Sequence, residues 1–340
     1  MSLRFPLGWF LVLASASLLA AAALAVSIGE VRIPLPVTLK VLGHRLLGLE
    51  MSGVDPIQEG IVWHYRLSRA VVAAAAGGAL ALCGCVLQAL LRNPLAEPYL
   101  LGIAAGASTG AVMVIILGVG AGAVSLAFGA FGGAAAAFGL VALLAAGAGG
   151  GTDRIILAGI AGSQLFNAIT SFIVTTSASA EQTRGIMFWL LGSLGGIRWP
   201  DAALAVPVVL VCGLLCLRRA RALDAFAFGE DAAAALGVDT RKVRLELFAI
   251  TAFLTAAVVS LIGAVGFVGL VVPHATRFLV GPGHERLIPA TILAGAVFMV
   301  SADVLSRTVV PGQVLPIGVV TALFGAPAFA AILWRSRRTA

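Results

Sequence analysis

Few side chains in this sequence could do chemistry, and those few are arginines and neutral polar groups. Arg66 and Arg69 stand three apart at the head of an apolar run from Leu67 to Leu91. That spacing puts both on one helical face. Guanidinium groups so placed either pair with a partner's carboxylates or snorkel to lipid headgroups. Gln164, Asn167, Ser171 and Thr175 recur at helical spacing inside another apolar run, with Ser163 and Thr170 beside them. A polar row at membrane depth lines a water-filled path or serves as hydrogen-bond glue between helices.

Catalysis has no foothold. There is no GxxxxGK[ST] loop and no HExxH, and the only lysines, Lys40 and Lys242, follow no glycine-rich turn. His44, His64, His274 and His284 fall in loops or at span ends. Asp303, close to a span end, is the one acidic candidate near a span interior and reads as a helix-end polar contact. Cys83, Cys85, Cys212 and Cys216 lack metal-ligand spacing and read as buried small apolar residues. No catalytic residue, metal site or cofactor is therefore expected in this chain. An ion-coupled secondary transporter needs an ionisable group at depth, and a membrane-embedded enzyme needs clustered nucleophiles or metal ligands; neither is visible.

The elements that position these groups follow from composition. Of 340 residues, 60% are hydrophobic and 11% charged, and the mean hydropathy is +1.07. Soluble domains carry roughly 25% charged residues, so lipid must be the solvent here. Apolar runs near 20 residues without period-two alternation make the fold class all-α and polytopic. Forty-one glycines let such helices approach closely. The net charge of +7 reads as loop bias and not as nucleic-acid binding.

About ten transmembrane helices are expected, in a single domain over 1–340. They cover 7–28, 67–91, a third from near Pro98, then 122–147, 154–176, 201–217, 245–263, a short segment ending at Pro273-His274, 288–304 and 317–334. The first is expected to be retained as a span and not removed as a signal peptide. Gly102, Gly106 and Gly110 are expected to form one packing ridge on the third. Residues 29–65 and 178–200 read as short surface or re-entrant helices. Gly149 to Asp153 reads as a flexible joint, and Ala225 to Gly237 as a short amphipathic helix pair outside the lipid. Ten spans put both termini on one side. Arg4, Arg92, Arg154, Arg277, Arg286, the arginines of 218–244 and those closing the chain share that side, which makes it the cytoplasm. Arg66, Arg69, Arg184, Arg198 and Arg307 remain on the other.

The motifs RLSR at 66–69, NPLAEP at 93–98, LLG at 100–102, FWLLGSLG at 188–195, GFVGLVVPH at 266–274 and LPIGVVTALFGAP at 315–327 resemble the FecCD-type permeases. These are membrane subunits of bacterial type II ABC importers for ferric siderophores, haem and cobalamin. The resemblance implies a homodimer in the bacterial inner membrane, two cytoplasmic ATPase subunits that hold the ATP and Mg, a periplasmic substrate-binding protein, and a pseudo-twofold relation between spans two to five and seven to ten. It places Arg66, Arg69 and Arg307 at the binding-protein docking face. It makes about 224–240 the ATPase-coupling segment, with Gly229, Glu230, Asp231, Leu236 and Gly237 at its centre. It sets cytoplasmic gates at Asn93, Pro94 and Leu95 and at Thr152 and Asp153. Asp153 stands where relatives can carry a small hydroxyl residue, so the second gate departs from the pattern. The implied function is inward passage of haem or a ferric siderophore, or alternatively cobalamin, through an uncharged conduit lined by Ser163, Gln164, Asn167, Ser171 and Thr175.

Overall fold

The computed structural model describes residues 5–29, 31, 33–51, 53–120, 122–147 and 151–336. Arg4, Gly149, Gly150, Arg337 and Arg338, which enter the topology and hinge expectations, lie outside them. The described residues are helical, without a strand.

The chain begins with α1 (Leu7–Ser27), then the short surface helices α2 (Leu35–Leu47) and α3 (Pro56–Gly60). A π-helical turn, Ile61–Leu67, leads from α3 into α4 (Ser68–Leu90). After a 3₁₀ turn at Pro98–Leu101 come α5 (Ile103–Ile115), α6 (Leu126–Gly147), α7 (Thr152–Ser177), α8 (Ala180–Leu190) and α9 (Trp199–Arg218). Two short helices, α10 (Ala220–Phe226) and α11 (Glu230–Ala235), precede α12 (Thr240–Ile262), α13 (Val268–Val280), α14 (His284–Thr308) and α15 (Ile317–Ser336). Among the described residues, seven helices are long and apolar enough to cross a bilayer, and α5, α13 and Ile317–Ala331 of α15 are shorter apolar ones. Together these are the ten expected segments.

α4 is the axis of the bundle. Between Ala70 and Leu87 it is apolar all round, the pattern of a helix enclosed on every side, and 89% of its apolar window is buried. α14 crosses it antiparallel, with backbone meeting backbone. A Cβ on Gly77 would lie 2.1 Å from the Gly295 carbonyl oxygen, and one on Gly84 would lie 1.8 Å from that of Gly269 in α13. α5 and α6 repeat the device, since a Cβ on Gly106 or Gly110 would fall 2.3 or 2.1 Å from the carbonyl oxygens of Gly133 and Gly129. Gly102 also faces α6, its Cβ position 3.3 Å from Val141 Cγ2, but it does so as the left-handed N-cap of α5 (φ 73°) and meets a side chain where the other two meet backbone.

The two halves share an order of lengths. α4 to α7 run 23, 13, 22 and 26 residues, and α12 to α15 run 23, 13, 25 and 20. The short helix is second in each, and each is entered through a left-handed residue, Gly102 or Phe267 (φ 69°). The two entrances touch. The Tyr99 hydroxyl donates to the Val265 carbonyl at 2.7 Å and accepts from the Val265 N–H at 2.6 Å.

α13 does not stop at Pro273-His274 as expected. It continues through both to Val280, so His274 lies inside a helix, edge-on to Phe278 with ring centroids 5.0 Å apart. Proline cannot bond the carbonyl four residues back, here that of Gly269. Gln88 of α4 replaces the missing donor, its Nε2 lying 3.2 Å from Gly269 O and 3.3 Å from Leu270 O.

Candidate functional site

The three arginines of the proposed docking face gather at one end of the α4–α14 pair. Asp303, fully buried, is their centre. Arg69 donates to its Oδ1 from Nε and approaches the same oxygen with Nη2, both at 2.7 Å. Arg307, one turn along α14, brings Nη2 within 2.9 Å of Oδ2 but off the hydrogen-bonding angle. Its Nε donates to the Asp303 carbonyl at 3.3 Å, and its remaining bonds run to α1, at 3.1 Å to Ala25 O, and to Ile28 O at 2.8 Å. Arg66 is 7% exposed and bonds the carbonyls of Val26 (2.9 Å), Ser27 (3.0 Å) and Val31. Two arginines thus satisfy the open C-terminal carbonyls of α1, where positive charge is also favoured by the helix dipole. Asp303 is a helix-end polar contact, as its position near the end of α14 suggests.

Arg66, Arg69 and Arg307 line a cavity of about 320 Å³ with Gly29, Leu194 and Arg198. Four guanidiniums and no carboxylate line it, and Asp303 pairs with Arg69 and Arg307 behind its wall, so the cavity is electropositive. Arg198 is the exposed member, its guanidinium carbon 4.2 Å from the Tyr65 ring centroid. The Trp63 and Trp199 rings lie beside this end, 4.9 Å apart, in the manner of a membrane-interface belt. Sequence reasoning marked Arg198 as an exception to the charge bias without giving it a task.

The opposite end carries α10 and α11. Gly229 (φ 105°) and Gly237 (φ 82°) bracket α11 in conformations that favour glycine. Phe228 and Leu236 are 78% and 71% exposed outside the apolar spans. Asp231 is exposed, and Glu230 pairs with Arg244 of α12. Asp224 of α10 accepts from the His284 N–H at 3.0 Å and holds the ring Nδ1 at 2.5 Å, fastening α10 to the start of α14. A cavity of about 580 Å³ joins Asn93 and Pro94 to Asp224, Phe228 and Arg277. The turn at 93–95 is an Asx turn, Asn93 Oδ1 accepting from Leu95 N at 2.9 Å, and Pro94 and Leu95 are exposed. It follows Arg92, itself left-handed at φ 48°. Thr152 and Asp153 begin α7, and the Asp153 side chain is exposed.

Between the ends, α7 presents Gln164, Asn167, Ser171 and Thr175 outward, with Ser163 half-buried. Thr170, about 60–100° round the helix from Asn167 and Ser171 and buried, does act as glue: its Oγ1 lies 2.8 Å from that of Thr109 on α5. The polar residues of α7 therefore divide into an exposed row and a buried contact. One carboxyl escaped the sequence argument. Glu97, before the 3₁₀ turn, is pushed above the usual carboxylate range by burial, with the Phe267 N–H opposing that shift. Its neighbours in sequence are turn residues, which usually signal exposure. The four cysteines are buried and free, and no three His, Cys, Asp or Glu side chains group as metal ligands among the described residues.

Close-packed apolar helices with charged ends define a polytopic α-helical membrane protein. The chain belongs to the FecCD transport family, whose model matches residues 17–335. It is 41% identical over 282 residues to the cobalamin import permease BtuC of Halobacterium salinarum, covering 83% of this chain and 75% of that one. It is 36% identical over 284 residues to the hemin transport permease HmuU of Yersinia pestis (81% and 85%), and 31% identical over 320 residues to the molybdate import permease MolB of Haemophilus influenzae (93% of each). A solved structure described as of metal-chelate ABC transporter type, in an inward-facing conformation, superposes with a TM-score of 0.80 at 30% identity, covering 95% of this chain and 97% of the other. The fold is that of a type II ABC importer permease.

Proposed function

We propose that two copies of this chain form the passage of an ABC importer that moves haem or a ferric siderophore inward across the bacterial inner membrane, with cobalamin as the alternative cargo. The observation that carries this reading is the outward polar row on α7. Apart from Asp153 and Arg154 in its first turn, α7 bears no charge, yet four polar side chains face away from the subunit's own core. Facing lipid, the Gln164 and Asn167 amides would be unsatisfied, although the Thr175 hydroxyl donates to the Ser171 carbonyl at 2.7 Å. Facing a second copy across a water-filled gap they line an uncharged conduit. Such a conduit supplies neither energy nor selectivity.

The other subunits supply both. Exposed Phe228 and Leu236 beside Gly229, Glu230, Asp231 and Gly237 suit a groove on a cytoplasmic ATPase, which holds ATP and Mg. The termini then lie in the cytoplasm. The Arg66–Arg69–Arg307 cavity faces the periplasm and attracts acidic side chains of a substrate-binding protein. Because these three arginines are committed to Asp303 and α1, their field steers the partner while exposed Arg198 meets it. Asn93 to Leu95 and Thr152–Asp153 act as the cytoplasmic gates, the first lining one cavity with the coupling segment.

Co-purification with an ATPase subunit, followed by liposome uptake of haem, ferric siderophore, cobalamin and molybdate, tests class and cargo together. Uptake of one chelate that requires ATP and the binding protein is expected. Uptake driven by a proton gradient without ATP would overturn the reading.

A further inference from the structure

We propose that a slot between α6, α7 and α12, at the α10–α11 end, is a binding site for one anionic phospholipid. The slot encloses about 450 Å³. Phe138 and Val141 of α6 and Phe248 of α12 wall it, Leu101 lies among them, and Arg241 and Arg244 of α12 stand with them. Along α6 its lining runs from Phe138 to Ala146. Eight helical steps at ~1.5 Å each make about 12 Å, close to the ~15 Å hydrocarbon depth of one leaflet.

The two chemistries of the slot are separated along its length. The arginines sit in the first two turns of α12, and the apolar walls lie further in. Arg241 is exposed and has no ion pair among the described residues. Arg244 spends one Nη2 on Glu230 and has further donors for another acceptor. Glu230 is the only acid lining the slot. A phosphodiester is a bidentate partner for such guanidiniums. Basic pockets between membrane helices at this depth take anionic headgroups. A free phosphate would satisfy the arginines but leave the greasy part of the slot empty, whereas an acyl chain fills it. The site does not depend on which cargo the permease carries, and it shares Glu230 with the coupling segment.

Native mass spectrometry of the detergent-purified full chain, incubated with dioleoylphosphatidylglycerol or dioleoylphosphatidylcholine, tests this. One phosphatidylglycerol is expected to survive activation that strips phosphatidylcholine. The R241Q/R244Q variant should lower its occupancy at least tenfold. So should A142W, which fills the slot from an exposed lining position and keeps both arginines. R221Q, which removes an exposed arginine outside the slot, should retain the lipid. Equal retention of the two lipids overturns the proposal, as does wild-type occupancy in A142W. Displacement of the phospholipid by equimolar glycerol 3-phosphate would mark a free-anion site and overturn it as well. If R241Q/R244Q fails to fold, A142W decides.

Discussion

Arg69 and Asp303, 234 residues apart in sequence, meet through two guanidinium nitrogens on one carboxylate oxygen, each 2.7 Å away. The contact pins α4 to α14 at one end, and the Gly77–Gly295 crossing continues the same antiparallel register inward. A buried charge that loses its partner is costly. The Asp303→Asn variant should lose about 3–5 kcal/mol of stability, read as a lowered thermal midpoint in detergent. Removing both charges with D303N/R69M should cost less than the sum of the single changes. Additive losses would show that the pair is not coupled.

The break in α13 offers a sharper case. Gln88→Leu leaves the Gly269 carbonyl without a donor and should cost about 1–3 kcal/mol, with faster amide exchange at the start of α13. P273A restores the missing N–H. The double variant Q88L/P273A should therefore recover much of the loss, and no recovery would refute the account.

Glycine positions separate by contact. Gly84→Ala drives a methyl into the backbone of Gly269 and should destabilise by about 1–3 kcal/mol or more. Gly132→Ala meets nothing within 4 Å and should be tolerated. Equal melting temperatures for the two variants would contradict the close α4–α13 approach.

Gly237 has open space around it but a φ of 82°. A bulky replacement is therefore strained by its backbone and not by a clash. Gly237→Val should cost about 1–2 kcal/mol locally and uncouple ATP hydrolysis from uptake in the reconstituted importer. Gly237→Asn, which visits that conformation more readily, should do so less. Normal uptake by the valine variant would remove the coupling role.

What the sequence disclosed depended on how local the cause was. α4 was legible because an all-apolar run with charges at its head has one reading. α11 was legible from glycines flanking a run of alanines, whereas α10 (Ala220–Phe226) begins before the expected Ala225 to Gly237 stretch. The end of α13 was not, because Pro273 is a stop signal whose remedy, Gln88, lies 185 positions earlier. Arg66, Arg69 and Arg307 stood out as exceptions to the charge bias, but their spacing could not disclose that α1 and Asp303 occupy them. Neither the exposure of Arg198 nor the burial of Glu97 leaves a local mark, since each is decided by helices remote in sequence.

The separation between Arg69 and Asp303 also bears on how the protein is made. At about 5–20 residues per second of synthesis, roughly 12–47 s elapse between the two emerging from the ribosome. Arg66 has no such wait, because the carbonyls it holds precede it in the chain. Throughout that interval Arg69 must stay hydrated at the bilayer edge, until α14 arrives with only α15 left to follow.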